Sequence, residues 1–176
     1  EIGVLDLMRR KAFEIRGLPL PPIETPAAPV LLPISSEAAI SWRGSAGATS
    51  YDIERAESSD GPWKTVGRDV SDADVAYRPL FHDTSTEMGK QYYYRVTAKN
   101  AAVASDPSNV VGPVTIEDLW LVDEMRDMSL IHAGKGNLEL VSTKARQAKE
   151  DMHRLAGKPG DAITYRTDGP IKAVKV

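Results

Sequence analysis

The sequence predicts a mainly β protein: a two-sheet antiparallel sandwich, with a helix before it and a partial β-module after it. Along residues 92–100, β-branched and aromatic residues alternate with polar ones, as in a strand with one buried face. Short segments with the same alternation recur between about residues 28 and 114. Gly-, Ser- and Pro-rich turn signals separate them, which suits about seven sandwich strands.

The first predicted element is an amphipathic helix over residues 1–18. Its apolar residues follow the three-to-four spacing of one helix face, and Gly17 is the predicted stop. A helix this short needs a surface to lie against. We therefore expect it either to dock on the sandwich or to contact a domain outside this chain. The predicted apolar face comprises Val4, Leu5, Met8, Ala12, Phe13 and Ile15.

Residues 19–27 form the second predicted element, a stiff linker. Prolines at positions 19, 21, 22 and 26, with another at 29, prevent a helix or a central strand. Such a segment holds two domains at a set separation.

The sandwich is predicted over residues 28–114. Its fourth predicted strand ends in a segment containing Asp83 and Thr84, and a turn is expected over residues 100–106. The predicted strands are Ile40–Trp42, Tyr51–Arg55, Trp63–Val66, Val75–Phe81, Tyr92–Asn100 and Asn109–Val114.

The alternation also predicts which side chains face the core. The predicted structural core residues are Trp42, Tyr51, Tyr92, Tyr94 and Val96. Outward-facing Arg95 lies on a strand expected to pair with the Asp52/Glu54 strand. A cross-strand ion pair is therefore expected there, contributing roughly 0–1 kcal/mol.

Residues 115–176 are predicted to form a partial β-module. A new apolar element starts at Asp118–Asp123, and a strand is expected around Leu138–Val141. Two more strands are expected at Ala162–Arg166 and Ile171–Val176, joined by a loose turn because Pro170 has no N–H. Residues 144–156 fit either a helix or a long loop, and the sequence leaves both open.

The sandwich motifs resemble those of bacterial fibronectin type III modules, which have an immunoglobulin-like fold. The resemblance makes Tyr92 the tyrosine corner, whose hydroxyl bonds to backbone upstream. At Ala101–Ala102 such modules usually carry a Gly, so this chain departs from the pattern there. The matching motifs are Tyr51–Arg55, Gly61–Trp63, Phe81–Thr84 and Tyr92–Asn100.

The whole arrangement resembles the C-terminal region of some bacterial family 5 glycoside hydrolases, the mannanase-like ones. The sandwich follows a Pro-rich exit from a helix and precedes a segment beginning Leu119–Glu124. The resemblance implies that residues 2–18 are the last helix of a preceding (β/α)8 barrel. It also implies an upstream catalytic domain of the same precursor as partner, with polysaccharide as a further partner, and a bacterial secreted or cell-surface location.

No catalytic, cofactor-binding or metal-ligating residues are predicted. Glycoside hydrolysis needs two carboxylates across a sugar site, whereas Asp123/Glu124 and Glu150/Asp151 are chain neighbours that point apart. His82, His132 and His153 lack metal-ligand spacing. The sequence also lacks the Gly-x-Ser-x-Gly motif that carries the nucleophilic serine of α/β-hydrolases.

Three aromatic residues are candidates for contact with a glycan or a partner. Trp63 lies in a predicted hairpin strand, Tyr93 faces outward beside Arg95, and Trp120 lies at the junction between modules. Each also has a purely structural interpretation: packing on the sheet edge, ordinary surface exposure, and burial between modules, respectively.

Composition excludes several classes of function. A net charge of −3 with interspersed signs argues against nucleic acid as a partner. No apolar run approaches the roughly 20 residues of a membrane span. The 176 residues include no cysteine and begin with Glu1, so we expect no disulfides and a piece of a longer precursor or a processed form.

The sequence thus predicts a non-catalytic accessory or spacer region of a secreted polysaccharide-degrading glycoside hydrolase, with possible glycan contact. The alternative is a protein-interaction or adhesion module of a cell-surface protein.

Overall fold

A computed structural model describes residues 2–19, 24–73, 75, 79–142 and 152–174. The chain divides into two compact units, Glu1–Trp120 and Leu121–Val176. This boundary lies six residues beyond the predicted one at 114/115. No helix in the described part of the chain has the length and apolarity needed to cross a bilayer.

Unit 1 begins with helix α1, Ile2–Ile15. Gly17 ends it with φ +62°. The Gly17 N–H then donates to Glu14 and the Leu18 N–H to Phe13, both at 3.0 Å, which is a Schellman cap. Met8 is 64% and Ile15 76% exposed, so this part of the predicted apolar face is not covered. Of the Pro-rich linker at 19–27, residues 20–23 lie outside the described residues.

The sandwich of unit 1 is built from nine described strands, and its strand pairing confirms the predicted fold class, a mainly β immunoglobulin-like sandwich. On one side, β1 pairs with β3 and β2 with β6. On the other, the order is β5-β4-β7, with β8 and β9 both pairing with the free edge of β7. The strands are β1 Val30–Leu31, β2 Ala39–Ile40, β3 Trp42–Arg43, β4 Ser50–Ala56, β5 Lys64–Val70, β6 Phe81–His82, β7 Gln91–Lys99, β8 Ala104–Pro107 and β9 Val111–Thr115.

Alternation along β4 and β7 places the core between the two sheets. Tyr92, Tyr94, Val96 and Ala98 are each no more than 2% exposed, while the residues between them are partly exposed. All five predicted core residues are buried, and the Trp42 and Tyr51 rings pack at 5.1 Å between centroids. Burying such aromatic side chains is the main favourable contribution to the fold.

Two strand predictions need correction within unit 1. The predicted turn at 100–106 contains β8, Ala104–Pro107. The predicted strand Val75–Phe81 is reduced to β6, because Val75, Pro79 and Leu80 are not in a strand and residues 76–78 lie outside the described residues. Pro79 has no N–H to donate to a ladder, which explains a late strand start.

Unit 2 contains two separate antiparallel pairs. β10, Ala133–Lys135, pairs with β13, Ala162–Thr164, and β11, Glu139–Ser142, pairs with β12, His153–Ala156. Of the described side chains in 121–174, none reaches full burial.

Three expectations for residues 115–176 need correction. The apolar element expected to start at 118–123 has neither helix nor strand there. Residues 171–174 are not a strand either, and Val174 is 76% exposed; residues 175–176 lie outside the described residues. The helix alternative for 144–156 is wrong at its end, since 153–156 is β12, and 144–151 lies outside the described residues.

Candidate functional site

The outward surface of β4, β5 and β7 carries two of the three candidate contact residues. Because directly opposed residues of antiparallel strands share a face, Glu54 and Arg95 lie side by side, as do Asp52 and Thr97. We call this surface the outer face; it comprises Asp52, Glu54, Trp63, Asp69, Tyr93, Arg95, Thr97 and Lys99.

Trp63 and Arg95 form a stacked pair on the outer face. The Arg95 guanidinium carbon lies 4.4 Å from the centroid of the Trp63 ring, a cation–π geometry. The Arg95 Nε–H donates to a Glu54 carboxylate oxygen at 2.7 Å, which is the predicted cross-strand ion pair. Trp63 is half-buried. Its indole packs against Arg95, and Glu54 fixes the position of Arg95.

Tyr93 lies on β7, two residues from Arg95, and is half-buried. A Cβ on Gly112 of β9 would come within 2.6 Å of a Tyr93 ring carbon. Gly112 also has φ +152°, so a side chain there would be strained as well as crowded. The bare glycine is what allows the Tyr93 ring to lie against the neighbouring strand.

The other end of the outer face is an ion-pair cluster around Lys99. Its Nζ lies 2.9 Å from Asp52 and 2.6 Å from Asp69. Hydrogen bonding to Asp69 and then Asp52 raises the pKa of Lys99. The same hydrogen bond from Lys99 lowers the pKa of Asp69. Both shifts favour the charged forms, so the cluster stays ion-paired at neutral pH.

Trp120, the third candidate, is elsewhere in unit 1. Its ring stacks on His82 of β6, with 6.2 Å between centroids and 27° between planes. It is half-buried, and its neighbour Leu119 is 56% exposed. The structure therefore brings Trp63 and Tyr93 to one face with Arg95 and leaves Trp120 packed against the opposite sheet.

Sequence reasoning missed a polar cluster between the two sheets, which we call the inner clamp: Arg55, Asp83, Ser85 and Tyr94. Arg55 donates to Asp83 at 2.7 Å and to Ser85 at 3.0 Å. The Tyr94 hydroxyl donates to the same Asp83 oxygen at 3.2 Å. Asp83 follows β6 of one sheet, whereas Arg55 and Tyr94 belong to the other. The sequence could have indicated this cluster, because Arg55 and Asp83 each belong to a motif of the sandwich, Tyr51–Arg55 and Phe81–Thr84.

The inner clamp also changes the expectation for Tyr92. Its ring is buried and lies under the Arg55 guanidinium, 4.4 Å from centroid to carbon. Among the described residues, the Tyr94 hydroxyl donates to Asp83 and the Tyr51 hydroxyl accepts from the Ser45 N–H, whereas no bond from the Tyr92 hydroxyl to backbone is found. Burial, reinforced by the Asp83 charge, raises the pKa of Tyr94.

In unit 2, Ser142 and His153 form a pair that resembles a catalytic dyad. Ser142 Oγ lies 2.8 Å from His153 Nδ1, and Arg126 lies 3.2 Å from Nε2. An arginine can only donate, so Nε2 accepts and Nδ1 carries the proton that is donated to Ser142. The imidazole therefore has no lone pair directed at the serine and cannot act as its base.

Asp123 of unit 2 is likewise in a structural role. Asp123 accepts a hydrogen bond from the Tyr165 hydroxyl at 3.0 Å and one from the Met125 N–H at 2.8 Å. Burial, together with Asp123, raises the pKa of Tyr165 to about 12. Glu150 and Asp151 lie outside the described residues. Within the described ranges, no group of three or more His, Asp or Glu side chains is placed to hold a metal ion.

Comparison with solved structures finds similar proteins that match about half of the chain. No family model matches the chain. It is similar to an Fn3-like protein from Clostridium thermocellum, at 24% identity and TM-score 0.38, over 56% of this chain and 94% of that one. It is also similar to the twitchin kinase region from C. elegans, at 30% identity and TM-score 0.40, over 55% of this chain. A titin fragment of domains A168 to A170 gives 20% identity and TM-score 0.38 over 54%.

The chain spans 17% of the twitchin fragment and 32% of the titin fragment. Its own strand pairing, with β1-β3 and β2-β6 on one side and β5-β4-β7 on the other, defines unit 1 as an immunoglobulin-like sandwich.

Proposed function

We propose that this chain is a non-catalytic accessory segment of a secreted bacterial glycoside hydrolase, in which the sandwich is a self-contained spacer. The observation that carries the proposal is that the sandwich has a closed core of its own and pairs the charged groups that join its sheets and line its outer face. Its core is closed by residues 31–116, and the inner clamp ties the two sheets together. On the outer face, the acidic side chains are paired with Arg95 and Lys99. A domain that needs no partner to fold is suited to separating other domains.

The identity of the larger enzyme as family 5 and mannanase-like is part of this proposal and is supported by the order of segments in the sequence. The helix, the Pro-rich stretch, the sandwich and the Leu119–Glu124 segment follow one another as in that region. The partners would be the upstream catalytic domain and the polysaccharide on which it acts. The proposed location is the cell exterior or the cell surface.

The test is an activity comparison. The isolated chain should release no reducing sugar from mannan, glucan or xylan, because glycoside hydrolysis needs two carboxylates across a sugar site, and Asp123 and Glu124 are chain neighbours. The upstream part of the same precursor should contain the barrel and its two catalytic glutamates. Turnover by the isolated chain that disappears in Glu124→Gln would contradict the proposal, and so would an upstream region made of further sandwich repeats.

The second candidate is a protein-interaction module of a cell-surface protein. The observation that favours it is the presence of Trp63, Tyr93 and Arg95 on one surface, because Trp, Tyr and Arg dominate the hot spots of protein interfaces. The further sandwich repeats that would contradict the first proposal would support this one.

A further inference from the structure

We propose that the outer face is a binding site for a neutral polysaccharide chain, with the Trp63 indole as the platform for one sugar ring. This rests on the proposed accessory function and names the ligand of one surface within it. Three features of the surface support this proposal: the contacts that hold the platform, the groups that surround it, and the ligand charge that the surface fits.

The Trp63 ring is held on one side by Arg95. The Arg95 guanidinium covers one ring face at 4.4 Å, and the residue is half-buried. Because Arg95 occupies that face, a ligand would stack on the opposite face of the indole. An aromatic face attracts the C–H-bearing side of a sugar ring through its negative quadrupole and its apolar area. Because Arg95 and Glu54 hold the ring in place, little side-chain freedom is lost on binding.

The platform lies beside a second aromatic residue and several polar groups. Tyr93 is two residues along β7 from Arg95, so their Cα atoms are about 7 Å apart. The Glu54 carboxylate and the Arg95 guanidinium meet at the platform, 2.7 Å apart. Thr97 continues the same face. A few oriented donors and acceptors around an aromatic platform are what a polyhydroxylated ligand needs.

The charges of the outer face fit a neutral ligand. Arg95 is paired with Glu54, and Lys99 lies between Asp52 and Asp69. An anionic sugar would have to compete with these carboxylates for each cation. A protein partner fits less well, since the core of a protein interface is depleted in charged residues, whereas an ion-paired ladder runs across the middle of this surface.

The experiment is an amide NMR titration of the full 176-residue chain. The probes are mannohexaose and cellohexaose, with an oligogalacturonate as the anionic comparison. We expect shifts confined to the outward residues of β4, β5 and β7 with a neutral probe. Trp63→Ala should weaken that binding by at least about tenfold, because stacking on one aromatic ring is worth that much.

Two variants control for folding and for position. Trp120→Ala removes the tryptophan that stacks on His82 and should leave affinity unchanged. Arg95→Met keeps the aliphatic stem but removes the cation under the ring, and should weaken binding by about threefold or more without unfolding the sandwich. The Arg95→Met result decides the matter if Trp63→Ala does not fold.

Three outcomes would overturn the proposal. One is no shift with either neutral probe at about 10 mM, and another is unchanged affinity in folded Trp63→Ala. The third is loss of association with the upstream catalytic domain in Trp63→Ala without any oligosaccharide binding, which would make the outer face a protein interface. All three leave the accessory function standing, because that function is tested separately by activity and by the upstream sequence.

Discussion

At the scale of single residues, the inner clamp shows how a buried charge is accommodated between two sheets. The Asp83 side chain is 1% exposed and that of Arg55 is 11%. A carboxylate buried this deeply is costly unless it is paired and hydrogen-bonded. Arg55, Tyr94 and Ser85 supply those bonds, with both the Ser85 N–H and its hydroxyl donating to the second oxygen. The clamp thereby connects β4, β7 and the segment after β6.

Removing one hydroxyl from the clamp should be measurable. Tyr94→Phe deletes the donor to Asp83 and should lower the free energy of unfolding by about 1.5–3 kcal/mol, as for hydrogen bonds to charged groups. The matched control is Tyr93→Phe, which removes a hydroxyl on the outer face and should change stability by less than about 0.5 kcal/mol. Denaturant melts measure both. Equal losses in the two variants would mean that the Tyr94 hydroxyl contributes nothing special.

The buried tyrosines also predict how stability depends on alkaline pH. Burial raises the pKa of Tyr51 and of Tyr94 in the folded state, above the value of about 10 expected for unfolded tyrosine. The folded state therefore holds these protons more tightly. Their contribution is complete below about pH 10 and is lost progressively as the pH rises above it.

The measurement is the urea midpoint at a series of pH values from about 8 to 11. The midpoint should fall above about pH 10, and the fall should be shallower in Tyr94→Phe, which lacks one of the two groups. A midpoint that is constant or rising across this range would contradict the assignment.

At the scale of elements, alternation predicted the strands whose side chains divide cleanly between core and solvent. β4 and β7 are of this kind. It missed β8 because that strand is held by something alternation does not reveal: the Ser105 and Ser108 hydroxyls accept from the N–H groups of Ala98 and Val96, at 3.0 and 2.9 Å. Small polar residues were interpreted as a turn, although here they complete the edge of β7.

The same reasoning explains the candidate site and the errors in unit 2. Outward alternation placed Tyr93 and Arg95 correctly, but only the register of β4, β5 and β7 brings Trp63 over Arg95. The apolar pattern predicts a strand at Ile171–Val176 and an apolar element starting at Asp118–Asp123, yet apolarity alone does not supply the neighbouring backbone that a strand needs. Ile171 is 62% and Leu121 45% exposed.

The serine edge of β7 gives a prediction for one element. Ser108→Ala should lower the free energy of unfolding by about 1–3 kcal/mol, because the buried Val96 N–H loses its acceptor. Ser59→Ala, in an exposed turn, is the control and should cost less than about 0.5 kcal/mol. If the two variants melt together, β8 and β9 do not depend on the side-chain bond and the account of this edge is wrong.

At the scale of the whole molecule, the two units differ in how much apolar surface they enclose. Unit 1 has a continuous core that includes Trp42, Tyr51, Ile53, Tyr92 and Tyr94. The described part of unit 2 has two short strand pairs and no fully buried side chain. Since burial of apolar surface is the dominant favourable term in folding, the sandwich should account for most of the stability of the chain.

The most direct test of the self-contained sandwich is native-state hydrogen exchange on the full chain, measured under conditions in which the chain is a monomer. Amides of residues 92–98 in β7 should exchange at least about 100-fold more slowly than those of residues 162–164 in β13, because the first require opening of the core and the second only local opening. Equal protection of the two stretches would show that unit 2 folds as firmly as the sandwich, and would contradict the claim that unit 1 alone is the rigid module.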